Sequence, residues 1–206
     1  MDQLIFHHCP NTRSTGVLAL LEELQAPYEL HLMNMKRGEN REPAYLAINP
    51  MGKVPAVEHN GALVTEQVAI YLYLADLFPA ARLAPPIGDP LRGPYLRWMA
   101  FYGSCFEPAL IDNWMQRAAV DKTMNGYGDF DDVFNTLVAQ LARGPWMLGD
   151  QFTALDVLWG TSLAWMTKLP KRDEILDYVA RVKARPAIQA AQRKDQELAA
   201  TQPDQA

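Results

Sequence analysis

The sequence predicts a chain in two parts, an α/β segment of order βαβ-ββα followed by an all-helical segment. Three observations predict it. The first 80 or so residues switch repeatedly between strand-like and helix-like apolar periods. The stretch "FPAARLAPPIGDPLRGP", rich in proline and glycine, then breaks both kinds of element. Beyond Leu91 the apolar patterns are helical. These set expected boundaries of 1–79 for the first domain, 80–90 for a linker and 91–206 for the helical domain.

The opening "LIFH" is a compact apolar run, suited to a strand covered on both faces. From Val17 the apolar residues Val17, Leu18, Leu20, Leu21 and Leu24 recur at helical spacing. "YELHLM" then alternates, with Tyr28, Leu30 and Leu32 on one face and Glu29, His31 and Met33 on the other. Strand, helix and strand within about 30 residues make a βαβ unit with a parallel pair. A polar, irregular stretch with one helical turn near Ala44–Ala47 follows. In "VPAVEHNGALV", Asn60-Gly61 is a two-residue turn signal between apolar runs, so a hairpin is expected. "TEQVAIYLYLADLF" closes the segment as a helix with Thr65 as N-cap. In the second part, "GDFDDVFNTLVAQLAR" carries a clear apolar face and "TALDVLWGTSLAWM" is apolar enough to lie at the centre of a bundle.

Composition narrows the function classes. Of 206 residues, 49% are apolar and 21% charged, the balance of an ordinary globular protein. A net charge of −5 leaves no basic footprint for nucleic acid or an anionic membrane. There is no signal-peptide pattern and no apolar run long enough to span a bilayer. The two cysteines, Cys9 and Cys105, form no disulfide framework, and with four scattered histidines they show no metal-ligand spacing. The expectation is a cytoplasmic protein without a structural metal.

Two constellations carry chemistry. In "KVPAV", Pro55 removes a backbone donor at the start of a strand, which leaves the Val54 N–H and C=O free to pair with an extended peptide. Lys53 beside it can neutralise a carboxylate. Glu66 and Gln67 fall in the first turn of the next helix, where free N–H groups and the dipole favour an anion. Glu66 can pair with an ammonium at the same time. A ligand with an α-amino-acid end and a peptide body suits both places. The plain alternative is a strand start and a dipole-complementing acid.

Together these stretches resemble the glutathione transferase family. "NPMGKVPAVEHNGALVTEQVAIYLYLAD" resembles its glutathione-site segment. "RLAPPIGDPLRGPYLRWMAFYGSCFEPA" resembles its linker and fourth helix, most like a bacterial subgroup, and "LGDQFTALDVLWG" resembles its interior capping motif. There Thr153 stands as N-cap and Asp156 at N3. "YVARVKARPAIQAA" resembles a late helix of the family. The resemblance implies a thioredoxin-like first domain, a helical second domain and a homodimer. It implies that Val54 pairs with the cysteinyl backbone of glutathione, that Pro55 is cis, and that Glu66 and Gln67 hold the γ-glutamyl end with Lys53 nearby. Many relatives carry Ser or Thr where Gln67 stands, but an amide also donates to a carboxylate.

The reaction implied needs a thiolate, and a free thiol has a pKa of about 8.5. A hydroxyl donor at a helix N-terminus stabilises the anion. "CPNTRST" supplies Cys9, Thr12 and Ser14 as candidates, and the choice among them stays open. His7 and His8 precede them, but thiolate stabilisation requires no base of this kind and neither is assigned a role. Phe101, Tyr102, Cys105 and Trp114 are the candidate lining for a small apolar electrophile, expected between the domains. The leading function is conjugation of the glutathione thiolate to such electrophiles, a detoxification chemistry. The rivals are a glutathione-dependent disulfide reductase or peroxidase using Cys9, and a non-catalytic interaction protein on the same fold.

Overall fold

The computed structural model describes residues 3–118 and 120–202. Its strands are β1 Leu4–His8, β2 Glu29–Leu32, β3 Ala56–His59 and β4 Ala62–Val64. They form one sheet of order β2-β1-β3-β4. β1 runs parallel to β2, with His7 opposite His31, and antiparallel to β3, with Phe6 opposite Val57. The parallel pair needs a crossover, which α1 (Ser14–Leu24) supplies. Asn60 and Gly61 both take positive φ, 52° and 83°, and close the β3–β4 hairpin as the sequence predicts. α2 (Pro43–Ile48) and α3 (Gln67–Leu77) complete the segment. The fold class is the expected one, a thioredoxin-like βαβ-ββα arrangement followed by helices.

The chain divides into two compact units, and the division differs from the expected one at its C-terminal end. One unit comprises residues up to Arg82 together with those from Lys183 onward; the other is Leu83–Val182. The last helix, α9 (Pro186–Ala200), therefore belongs with the α/β unit. Polar ties to α1 and its neighbours explain this. Arg185 grips Glu23 in a two-pronged pair at 2.6 and 2.7 Å, and Lys194 Nζ donates to the Tyr28 hydroxyl at 2.6 Å. Such long-range ties leave no trace in local periodicity.

The other unit is helical: α4 (Arg92–Phe101), α5 (Glu107–Trp114), α6 (Phe130–Leu141), α7 (Ala154–Trp165) and α8 (Asp173–Lys183), whose last residue falls in the first unit. α4 continues into α5 through a widened π turn at Tyr102–Phe106. Pro108 lacks the N–H for the ordinary bond to residue 104 and its ring crowds that carbonyl, which accounts for the widening. α7 is central, as predicted. The buried Trp159 ring packs against Trp98, Phe101, Tyr102 and Phe106. Among the described residues no helix is long and apolar enough to cross a membrane.

α7 approaches α8 closely at Gly160. A Cβ there would lie 2.5–2.7 Å from the Val182 side chain. Gly160→Ala is therefore expected to destabilise this unit by about 1–3 kcal/mol despite the better helix propensity of alanine. A lower urea midpoint in the variant is the expected result, and an unchanged or higher midpoint would show that α8 yields freely.

Candidate functional site in the α/β unit

The loop from β1 to α1 is built on hydroxyls. Asn11 adopts φ 58°, which turns the chain back toward the strand end. Thr12 Oγ1 donates to the Cys9 carbonyl at 2.7 Å and accepts the Ser14 N–H at 3.2 Å. The Ser14 hydroxyl accepts the Cys9 N–H at 3.1 Å. It also lies 2.8 Å from Thr12 Oγ1, 2.8 Å from His8 Nδ1 and 2.9 Å from the Cys9 carbonyl. Cys9, Ser14 and His8 are all fully buried; Thr12 is half-buried and reaches the surface. The three candidate residues thus share one network, but their accessibility differs. The Cys9 sulfur faces the Pro10 carbonyl at 3.8 Å and has no solvent-facing surface.

A carboxylate from α9 closes the network from behind. Asp195 accepts the Asn11 N–H at 3.1 Å and the Thr15 hydroxyl at 2.7 Å. Its Oδ1 also lies 3.1 Å from His8 Nε2. The carboxylate sits off the ring N–H axis, so this is a close contact between carboxylate and ring and not an aligned hydrogen bond. Burial pushes the Asp195 carboxyl up, but the contacts with His8, Thr15 and Asn11 outweigh it and hold the group below the ordinary carboxylate value. Asp195 was not foreseen from sequence. The signal was present: Ile188, Ala191 and Asp195 share one buried stripe of α9, and an acid on an apolar stripe requires a partner.

The second constellation is held from below by amides and a phenol. Asn40 Nδ2 donates to the Gly52 carbonyl at 2.8 Å. Tyr45 Oη and Asn49 Nδ2 both donate to the Lys53 carbonyl, at 2.7 and 2.9 Å. The Val54–Pro55 bond is cis and β3 begins only at Ala56. Neither the N–H nor the C=O of Val54 is engaged by another described residue. Lys53 is exposed beside it, while Pro55 is buried.

At α3 the expected N-cap shifts by one residue. Glu66, not Thr65, is the N-cap, and Gln67 is the first helical residue. Glu66 is exposed and takes φ 63°, a conformation costing a non-glycine residue about 1–3 kcal/mol. Sequence pattern carries no mark of that strain. Gln67 Nε2 donates to the Arg13 carbonyl at 3.4 Å, which joins the starts of α1 and α3. Its Oε1 is buried without a partner among the described residues. An open helix N-terminus, a free carboxylate, an orphaned amide oxygen and an unpaired backbone edge therefore occur in one unit.

The four residues expected to line an electrophile pocket do not form one cluster. Tyr102 is in the core of the helical unit, with its hydroxyl 2.9 Å from Ser162 Oγ. Phe101 lies against Trp98 and Trp159 and keeps partial exposure. Cys105 sits on the π turn, partly exposed, and Trp114 faces Trp165 with ring centroids 6.5 Å apart.

Known proteins carry the same pattern. The family profile described as "Glutathione S-transferase, N-terminal domain" matches residues 2–76, and "Glutathione S-transferase, C-terminal domain" matches 112–190. The chain is 28% identical over 187 residues to glutathione S-transferase PARB of Nicotiana tabacum, covering 84% of this chain and 86% of that one. A crystal structure of a glutathione transferase from Methylococcus capsulatus superposes with TM-score 0.79 at 29% identity, over 94% of this chain and 99% of that one. A sphingomonad glutathione S-transferase complexed with glutathione does so with TM-score 0.76 at 26% identity, over 93% and 98%. On both domain profiles and on fold, the chain belongs to the glutathione S-transferase family.

Proposed function

We propose that the protein is a glutathione transferase that ionises bound glutathione and directs the sulfur at a small apolar electrophile. The observation that carries this reading is Val54, whose backbone donor and acceptor are both unpaired at the head of an otherwise paired strand. A tripeptide with an extended cysteinyl backbone fits that edge. Glu66 takes the α-ammonium, and the open N–H groups at the start of α3, with Gln67, take the γ-glutamyl carboxylate. Lys53 takes the second carboxylate. Thr12 is the member of the hydroxyl network that faces a bound sulfur, because Ser14 and Cys9 are buried.

Holding thiol and electrophile together converts a bimolecular encounter into a local one, and a lowered thiol pKa supplies the nucleophile. The reading includes a homodimer acting in the cytoplasm; sedimentation at micromolar concentration tests the first part.

Calorimetric titration of glutathione tests the site. We expect a dissociation constant in the micromolar-to-millimolar range, weakened about tenfold or more in Glu66→Ala. Absence of heat at several temperatures, with no competition by a glutathione analogue, would sink the reading. The disulfide-reductase alternative requires an exposed sulfur on Cys9. Cys9→Ser is expected to spare conjugation of an activated aryl halide; a glutathione-dependent disulfide exchange that is present in the wild type and abolished in Cys9→Ser would favour the alternative.

A further inference from the structure

Asp195, His8, Ser14 and Thr12 form a continuous line of polar atoms from the interior to the surface. Asp195 Oδ1 is 3.1 Å from His8 Nε2, His8 Nδ1 is 2.8 Å from Ser14 Oγ, and Ser14 Oγ is 2.8 Å from Thr12 Oγ1. The order acid, imidazole, hydroxyl is that of a hydrolase triad. Ser14 is fully buried and already accepts the Cys9 N–H, so its oxygen is no nucleophile. The line leads onward instead, to the half-buried Thr12.

We infer that this line is a proton relay, with the His8–Asp195 pair as the acceptor of the thiol proton of bound glutathione and Ser14 and Thr12 as its carriers. The inference rests on the glutathione reading above. Before transfer, the neutral imidazole carries its proton on Nε2, beside the Asp195 carboxylate, and leaves the Nδ1 lone pair to the Ser14 hydroxyl. The thiol S–H bond then breaks and its proton joins Thr12 Oγ1. The Thr12 proton passes to Ser14 Oγ, and the Ser14 proton passes to His8 Nδ1. The products are a thiolate and an imidazolium, the latter paired with Asp195. No proton leaves the protein, and net charge is conserved. Each hydroxyl ends with its proton turned toward the sulfur side, so Thr12 O–H now donates to the thiolate.

The Cys9 carbonyl competes for both hydroxyl protons, at 2.7 Å from Thr12 and 2.9 Å from Ser14. The carboxylate on α9 biases the line toward His8. It is the charged group paired with this imidazole; the Phe6 ring, 5.3 Å away, is an apolar neighbour. On this account Thr12 is catalytic, while Ser14, His8 and Asp195 act through it.

The test uses the whole protein with glutathione and with S-methylglutathione, which has no thiol proton. Nitrogen NMR of the ring, assigned with His8→Gln, reads the His8 state. At neutral pH we expect His8 to become doubly protonated with glutathione and to stay neutral with the methylated compound. Calorimetry in two buffers of different ionisation enthalpy should show almost no proton released on binding. Thr12→Val should abolish the His8 change and weaken glutathione by the factor that transfer had favoured it, while the affinity for S-methylglutathione stays within about threefold. Asp195→Asn should lower kcat/KM at least about tenfold with KM for glutathione little changed, and should move the pH–rate profile upward.

Binding of both compounds with the same His8 state, or release of a full proton to buffer, would overturn the relay and leave glutathione binding intact. Failure of glutathione to bind would overturn the relay and the glutathione reading together.

Discussion

Asp156→Ala is expected to cost the helical unit about 3–5 kcal/mol at neutral pH. Asp156 is fully buried at the third position of α7. Its carboxylate accepts the Met147 N–H at 2.7 Å, the Thr153 N–H at 2.9 Å, the Thr153 hydroxyl at 3.3 Å and the Tyr178 hydroxyl at 3.0 Å. Alanine strands these donors where water does not reach, at about 1–3 kcal/mol for each group left unpaired. Urea unfolding followed by tryptophan fluorescence measures the loss. The pH dependence has a definite sign. Burial pushes the Asp156 carboxyl from 3.8 to about 6, and the four hydrogen bonds only partly oppose it. The folded state therefore holds the proton more tightly than the unfolded chain. The contribution to stability is fully present below about pH 4 and is lost as pH rises through about 6. That shift corresponds to about 3 kcal/mol. The stability gap between wild type and Asp156→Ala is expected to widen by up to that amount on going from pH 7 to pH 4, since other titrations cancel. A gap that narrows on acidification would mean that the hydrogen bonds outweigh burial.

Gly52→Ala is expected to damage the proposed glutathione site more than the fold. Gly52 has φ +57°, and a Cβ would lie 2.6 Å from the Asn40 backbone oxygen and 2.9 Å from Arg41 Nη1. A backbone oxygen cannot rotate away, so the loop must move. The next two residues are Lys53 and Val54, whose placement depends on the Asn40, Tyr45 and Asn49 bonds beneath them. The left-handed conformation adds about 1–2 kcal/mol for alanine. We expect glutathione affinity to fall by more than about tenfold, a shift above 1.4 kcal/mol. Gly38→Ala is the matched control. It too has positive φ, +80°, but nothing lies within 4 Å of its Cβ. It should lose stability and keep affinity. Equal losses of affinity in the two variants would show that the clash at Gly52 does not reach Val54.

What was legible in the sequence was what neighbours along the chain decide. The Asn60-Gly61 hairpin, the apolar face of α1 and the Thr153/Asp156 capping box depend on residues a few positions apart, and all three occur as read. Lys53, Val54, Glu66 and Gln67 were singled out by turn and helix-end chemistry; the Val54 backbone edge and the Gln67 Oε1 have no partner among the described residues, while the Gln67 Nε2 donates to the Arg13 carbonyl. What escaped reading was non-local or strained. The left-handed Glu66 moved the α3 cap by one residue, the π turn at Tyr102–Phe106 had no signature in the helical pattern beyond Leu91, and Tyr102 turned inward to Ser162. Asp195 lies 187 positions from His8 in sequence, and only the fold brings their side chains to 3.1 Å.

The attachment of α9 to the α/β unit has a consequence for biosynthesis. The sheet and α1–α3 leave the ribosome long before Asp195 does, and at about 5–20 residues per second the delay is on the order of ten seconds. During that interval Arg185 has not yet reached Glu23, and the Asn11 N–H and Thr15 hydroxyl lack their acceptor. The nascent α/β segment is thus held in an unfinished form. The β1–α1 loop lacks its Asp195 acceptor until α9 is made, so a ribosome that stalls in α8 leaves the Asn11 N–H and the Thr15 hydroxyl without that partner.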